Sequence, residues 1–265
     1  MNFIFTLIKT TSLQLIGVLG IFFAFGFVLS KLQEWTQTNY RRSVGWKGIL
    51  WTAWMGTPIH EFGHIFFAKL FRHKINRIAI FEPNEETGEL GCVDHSYKKY
   101  SLYQRLGNFF IGAGPMIFGS LFLVIMLYLL LPNGKEIFSP LTHNTSIAPA
   151  FFVSLKQTLL NLFSLENLKA WNFWLFLYVS FCVASHLAPS KPDRKGMWGG
   201  FFWIVLLLII INLITLLFHF DITNYILKIN QYLGIFTAIF TYALLISLLH
   251  FILSAIFLYP LKKGR

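Results

Sequence analysis

Stretches of about twenty mostly apolar residues recur along this chain, each long enough to cross a hydrocarbon layer as a helix. Inside lipid, every backbone N–H and C=O must find a partner within the protein, which leaves only helices and closed barrels. The apolar runs show no period-two alternation, so a barrel is not expected. Composition agrees: 55% of the residues are apolar and only 12% are charged, where a soluble domain carries about 25% charged residues. The fold class that follows is an all-α membrane protein, a single polytopic domain over residues 1–265 with about six transmembrane helices.

The expected spans are 12–30, 48–71, 107–131, 170–187, 198–218 and 235–258. The first is not a removable signal peptide, because Lys31, Leu32, Gln33 and Glu34 follow it in place of a small-residue cleavage site. The segment 148–163 contains Lys156 and reads as an interfacial or re-entrant helix, with a seventh span as the alternative. Segment 75–97 is different. Ile75 to Phe81 is β-rich, Pro83, Asn84 and Gly88 supply turn chemistry, and Leu90 to His95 reads as a returning strand. A small membrane-associated β-hairpin is expected there.

The net charge is +11. Lys and Arg lie between the apolar runs and not in one aromatic-interleaved patch, so the partner is a lipid bilayer and no nucleic acid. With six spans, the richer set of basic residues falls on the side holding Lys9, the segment 69–105, Lys191 to Lys195, and Lys262 to Arg265. The positive-inside rule then puts both termini and the hairpin in the cytoplasm, with Lys228 among the basic residues outside. A small chain without targeting signals fits a bacterial inner membrane. Cys92 and Cys182 read as free thiols. Oligomeric state is not legible.

The second span contains His60-Glu61-Phe62-Gly63-His64, the pattern H-E-x-x-H. On a helix, positions i and i+4 share a face, so both imidazoles reach one ion. Zinc suits them, because it takes imidazole nitrogen and keeps one position open. Glu61 follows the first ligand, placed to act as general base toward water at the metal. Ionisable groups in an apolar helix are costly and mark function. The rival is a polar cluster facing a water-filled cavity, or a proton relay. Gly56 and Pro58 bend or open the helix just before the motif.

A third ligand is needed, and carboxylates are scarce near the apolar runs. Asp193 stands just after the fourth span, where Pro189 and Pro192 end the helix. If the second and fourth spans run in the same direction, Asp193 lies at the membrane face nearest His64, itself about 12 Å from the end of its helix. The alternative for Asp193 is an ion pair with Arg194 or Lys195. His186 could replace Asp193 as ligand, donate to a developing oxyanion, or be a buried structural histidine. His73, His95, His143, His219 and His250 carry no motif. Gly107, Gly112, Gly114 and Gly119 let the third span pack closely on the metal-bearing helix.

These features resemble the site-2 protease family of intramembrane zinc metalloproteases. The resemblance rests on His60-Glu61-Phe62-Gly63-His64 in a membrane helix, Gly112-Ala113-Gly114-Pro115 in the next, and Pro189 followed by Asp193 after a later one. It covers roughly 54–196, within a metalloprotease core of 48–196. It implies one zinc ion held by His60, His64 and Asp193, with Glu61 and His186 as the catalytic residues. It also implies a hairpin presenting Ile78 and Ile80 to an extended peptide, with Gly112 and Gly114 beside the same substrate. The substrate would be a membrane protein or membrane-anchored peptide. The chain departs from the family pattern in having His186 where an Asn is usual, Pro192 and Arg194 around the aspartate in place of Leu and Gly, and no PDZ-like insert. A catalytically inactive member, binding without cleaving, is the second expectation.

Overall fold

The structure is a computed structural model that describes residues 3–142, 148–218 and 230–258. Its helices are α1 (Phe3–Val44), α2 (Trp46–Leu70), α3 (Leu102–Leu130), α4 (Gly134–Thr142), α5 (Ala148–Leu162), α6 (Leu165–Lys169), α7 (Trp171–Ala184), α8 (Lys191–Leu217) and α9 (Asn230–Leu258). The strands are β1 (Lys74–Ala79) and β2 (Cys92–Ser96). The all-α expectation with one small hairpin therefore holds.

Four helices are long and apolar enough to cross a membrane: α1, α3, α8 and α9 from Gly234 onward. Helix α2, which carries the H-E-x-x-H motif, has 25 residues but is not among these four, with Lys47, His60, Glu61, His64 and Lys69 spread along it. The 14 residues of α7 extend about 21 Å, short of a bilayer's roughly 30 Å. With 15 residues, α5 is also short. His143 and His219 lie outside the described residues.

Helix directions can be read from close contacts. Gly63 of α2 meets Gly114 of α3, and Gly107 meets Phe71, so α2 and α3 are antiparallel. The Trp54 indole donates to the Tyr178 hydroxyl at 2.8 Å, and Gly56 lies against Cys182 and His186. Thus α7 runs parallel to α2, as expected of the second and fourth spans.

The expected fifth span is different. Passing down α3 from Leu130 to Arg105, the partners are Asn172 at Leu130, Val183 and Leu187 at Gly119, Asp193 and Met197 at Gly112, Gly200 at Phe109, and Trp203 over Arg105. So α7 and α8 form one path antiparallel to α3, interrupted at 185–190. This corrects the reading of two opposed spans, and with it the count of six separate crossings. The chain leaves α7 at Ser185 and passes Pro189 without reversing, and Pro192 stands in the first turn of α8. Ser190 then restarts a helix in the same direction through a reciprocal capping box with Asp193.

The last helix, α9, runs parallel to α1. Phe240 packs on Phe22 and Phe25, Asn39 donates to Ser254 at 3.1 Å, and Ser43 donates to the Leu258 carbonyl at 2.9 Å. The N-terminal end of α1 and the C-terminal end of α9 therefore lie at opposite ends of the bundle. The expectation that both termini share a face fails for the described helices. Lys228, Lys262, Lys263 and Arg265, part of the charge argument for it, lie outside them.

Inner positions of α3 form the centre of the core, with Phe109, Ala113, Met116, Leu123 and Leu127 all fully buried. Buried residues from α1, α2, α7, α8 and α9 join them in one cluster. The hairpin is antiparallel, pairing Lys74 with Ser96 and Ala79 with Cys92, with a bulge between Ile75 and Arg77. It folds back along α2, because Gly91 sits against Thr57, thirteen residues and about 20 Å before the end of that helix. Its base is held by His73, which contacts the His95 ring at 3.0 Å and the Gln104 carbonyl at 2.8 Å.

Candidate metal centre

Helical periodicity puts His60 and His64 on one face of α2, and the surrounding backbone aims them. His60 Nδ1 lies 2.7 Å from the His186 carbonyl oxygen, and His64 Nδ1 lies 2.9 Å from the Ile111 carbonyl oxygen. A carbonyl only accepts, so each Nδ1 carries its proton and donates. In the neutral rings each Nε2 is then a bare lone pair. The two Nε2 atoms face each other at 3.2 Å.

Asp193 completes the set. Its Oδ1 lies 3.2 Å from His64 Nε2, and its Oδ2 lies 3.5 Å from His60 Nε2. Oδ2 also accepts the Ser190 backbone N–H at 2.7 Å, which fixes the carboxylate's orientation. Three electron-pair donors thus converge where they would otherwise repel one another. All three ligand atoms lie within 4.8 Å of one another. Donors about 2.0–2.1 Å from a tetrahedral ion are spaced roughly 3.3 Å apart, which matches the separations here. The donor chemistry, two imidazole nitrogens and a carboxylate, fits zinc and leaves a fourth position free. The Nδ1–H bonds to carbonyls are the kind of support that metal-binding histidines use.

Glu61 is 4% exposed and its Oε2 has no hydrogen-bond partner. A buried carboxylate oxygen left open beside two histidines and an aspartate is positioned to accept a proton there. Asp193 does not pair with Arg194. That guanidinium donates instead to the Ser30 hydroxyl at 3.4 Å and the Pro189 carbonyl at 3.1 Å. Asp193 is also not just past a span, as the sequence suggested, but in the first turn of α8 beside Gly112.

His186 serves the site through its backbone. Its carbonyl orients His60, while its ring packs against Gly56. The ring Nδ1 lies 3.1 Å from the Cys182 carbonyl oxygen and 3.1 Å from the Ser185 hydroxyl oxygen; the carbonyl only accepts, and the hydroxyl has the Phe181 carbonyl to donate to at 2.9 Å, which favours the proton on Nδ1. Its Nε2 is buried, unpartnered and an acceptor. Donation to an oxyanion requires the other tautomer.

Gly112 and Gly114 sit at helix crossings. A Cβ on Gly112 would stand 2.5 Å from the Asp193 carbonyl oxygen, and one on Gly114 would stand 2.7 Å from that of Gly63. They set how closely α8 and α2 approach α3. Ile78 and Ile80 lie on or just past β1, 48% and 36% exposed, and among the described residues β1 pairs only with β2.

Sequence reasoning missed the carbonyls of Ile111 and His186 and the cap at Ser190. The first two leave no side-chain signature. The cap was legible, since Ser190-Lys191-Pro192-Asp193 is a helix-start pattern. Comparison of this chain with protein-family models, with curated proteins and with solved structures returns no match.

Proposed function

We propose that this chain is a zinc-dependent endopeptidase of the site-2 protease kind, hydrolysing a peptide bond in or near the membrane segment of another protein. The observation that carries the reading is the convergence of His60 Nε2, His64 Nε2 and the Asp193 carboxylate, with Glu61 buried and open beside them. Zinc, when bound, supplies an electrophile that polarises a carbonyl and makes water more acidic. His60, His64 and Asp193 hold it, kept in orientation by the His186 and Ile111 carbonyls and the Ser190 N–H. Glu61 accepts a proton from the attacking water at Oε2 and returns it to the leaving amine. The outer edge of β1, with Ile78 and Ile80 exposed, offers main-chain partners to an extended peptide. The four helices long and apolar enough to cross a membrane support a membrane setting for this chemistry, and a bacterial inner membrane is the setting proposed.

The test is Glu61→Gln, scored by cleavage of co-expressed single-pass membrane proteins alongside zinc content. Cleavage by the wild type that disappears in the variant, with zinc retained, supports the reading. Equal cleavage by both overturns it. The second reading, a zinc-binding protein that does not cleave, is favoured by one observation: His186 Nε2 faces no partner as an acceptor. Stoichiometric zinc with intact substrates would select it.

A further inference from the structure

The break at 185–190 is exposed to a severe requirement. Its peptide groups lie outside any helix, and in a membrane each needs a partner from the protein. Some find partners within the break or in the site itself. The His186 carbonyl receives His60 Nδ1–H, the Ser190 N–H goes to Asp193, and the Pro189 carbonyl takes Arg194. Two others are satisfied from α1. The Gln33 Oε1 accepts the Ala188 N–H at 2.9 Å, and the Gln37 amide donates to the Ser185 carbonyl at 3.3 Å. Ser30, one turn earlier, receives Arg194 at 3.4 Å. Ser30, Gln33 and Gln37 follow the i, i+3, i+7 spacing of one helix face. Further along α1, Gln14 and Thr11 bond Asn212 of α8 in a buried polar cluster. So α1 lies along the broken helix on both sides of Asp193.

Two of the three metal-ligating side chains depend on this break. Asp193 is anchored by its reciprocal cap with Ser190, and His60 is aimed by the His186 carbonyl. We infer that Gln33 and Gln37 are positioning residues for the metal centre: they clamp the 185–190 break from α1 and thereby fix the Asp193 carboxylate and the His60 ring. This inference rests on the metal reading of the site. The two glutamines act with opposite polarity, Gln33 as acceptor and Gln37 as donor, and that separates a clamp from simple filling of space.

The experiment measures zinc affinity in detergent micelles by competition with a chromophoric chelator, with melting of the metal-free protein as a control on folding. Gln33→Leu and Gln37→Leu should each weaken zinc about tenfold, the scale for loss of a group supporting a ligand. Gln33→Glu keeps the acceptor and should bind like wild type. Gln37→Glu sets an acceptor against the Ser185 carbonyl and should bind as weakly as Gln37→Leu. If Gln33→Leu and Gln37→Leu bind as tightly as the wild type, the inference falls and the metal reading stands. If the wild type takes up no zinc, both fall. If a leucine variant does not fold, the glutamate pair decides, and equal affinities for Gln33→Glu and Gln37→Glu overturn the clamp.

Discussion

Gly63 and Gly114 touch backbone to backbone: a Cβ on either would stand 2.7 Å from the other's carbonyl oxygen. This contact sets the spacing between α2, which carries His60 and His64, and α3, whose Ile111 carbonyl aims His64. Backbone atoms cannot swing aside as a side-chain tip can. Gly114→Ala should therefore cost about 1–3 kcal/mol in overpacking and loosen the metal site with it. Gly199, with open space around its Cβ direction, is the control. Thermal melting in detergent should show a drop for Gly114→Ala and none for Gly199→Ala.

Metal removal should destabilise the protein. An ion that binds only the folded state adds about 2.7 kcal/mol at a hundredfold excess over its Kd. Melting should therefore shift upward on adding zinc and return on chelation. Asp193→Asn keeps an oxygen for the Ser190 N–H but loses the charge the ion needs, so its zinc-dependent shift should largely vanish. A full shift in that variant would remove Asp193 from the ligand set.

The hydrogen-bonding pair at the hairpin base gives a pH dependence. Burial, and then the neighbouring His73, push the His95 imidazole down to about 4, from about 6.5 in an unfolded chain. Between those values the unfolded state holds a proton that the folded state refuses, so stability is lost as pH falls through that window. His95→Asn keeps a donor for His73 and cannot titrate. Its melting temperature should fall less between pH 6.5 and pH 4 than that of the wild type. Identical slopes would clear His95 of the effect.

The convergence of His60, His64 and Asp193 was legible in the sequence because its signals are local or scarce. His60 and His64 are one helical turn apart, and Asp193 is one of few carboxylates near an apolar run. The path of the chain between them was less legible. Pro189 and Pro192 announce an interruption, but an interruption looks alike whether the chain reverses or continues. Only the order of contacts along α3, with Gly119, Gly112 and Phe109 meeting Leu187, Asp193 and Gly200, shows that it continues. Gln33 and Gln37 follow the expected first span with no motif around them. Their partners are main-chain groups about 150 residues away, and no pattern in the sequence marks a backbone amide that lacks a helical partner.

His186 offers a final distinction, between a ring that does chemistry and a carbonyl that holds a ligand. The Nδ1 proton points at the Cys182 carbonyl, and Nε2 is left as a buried acceptor. A side chain in that tautomer stabilises no oxyanion. His186→Leu retains the carbonyl that orients His60 and removes only the ring. Loss of a true oxyanion donor lowers kcat by roughly 10²–10³, whereas His186→Leu should lower it far less and leave zinc affinity close to that of the wild type. A loss of the larger size at unchanged zinc affinity and KM would show that the ring donates during turnover, with the proton on Nε2. A loss of zinc affinity would show instead that the ring's packing against Gly56 holds the break in place, adding to the hold of Gln33 and Gln37 from α1.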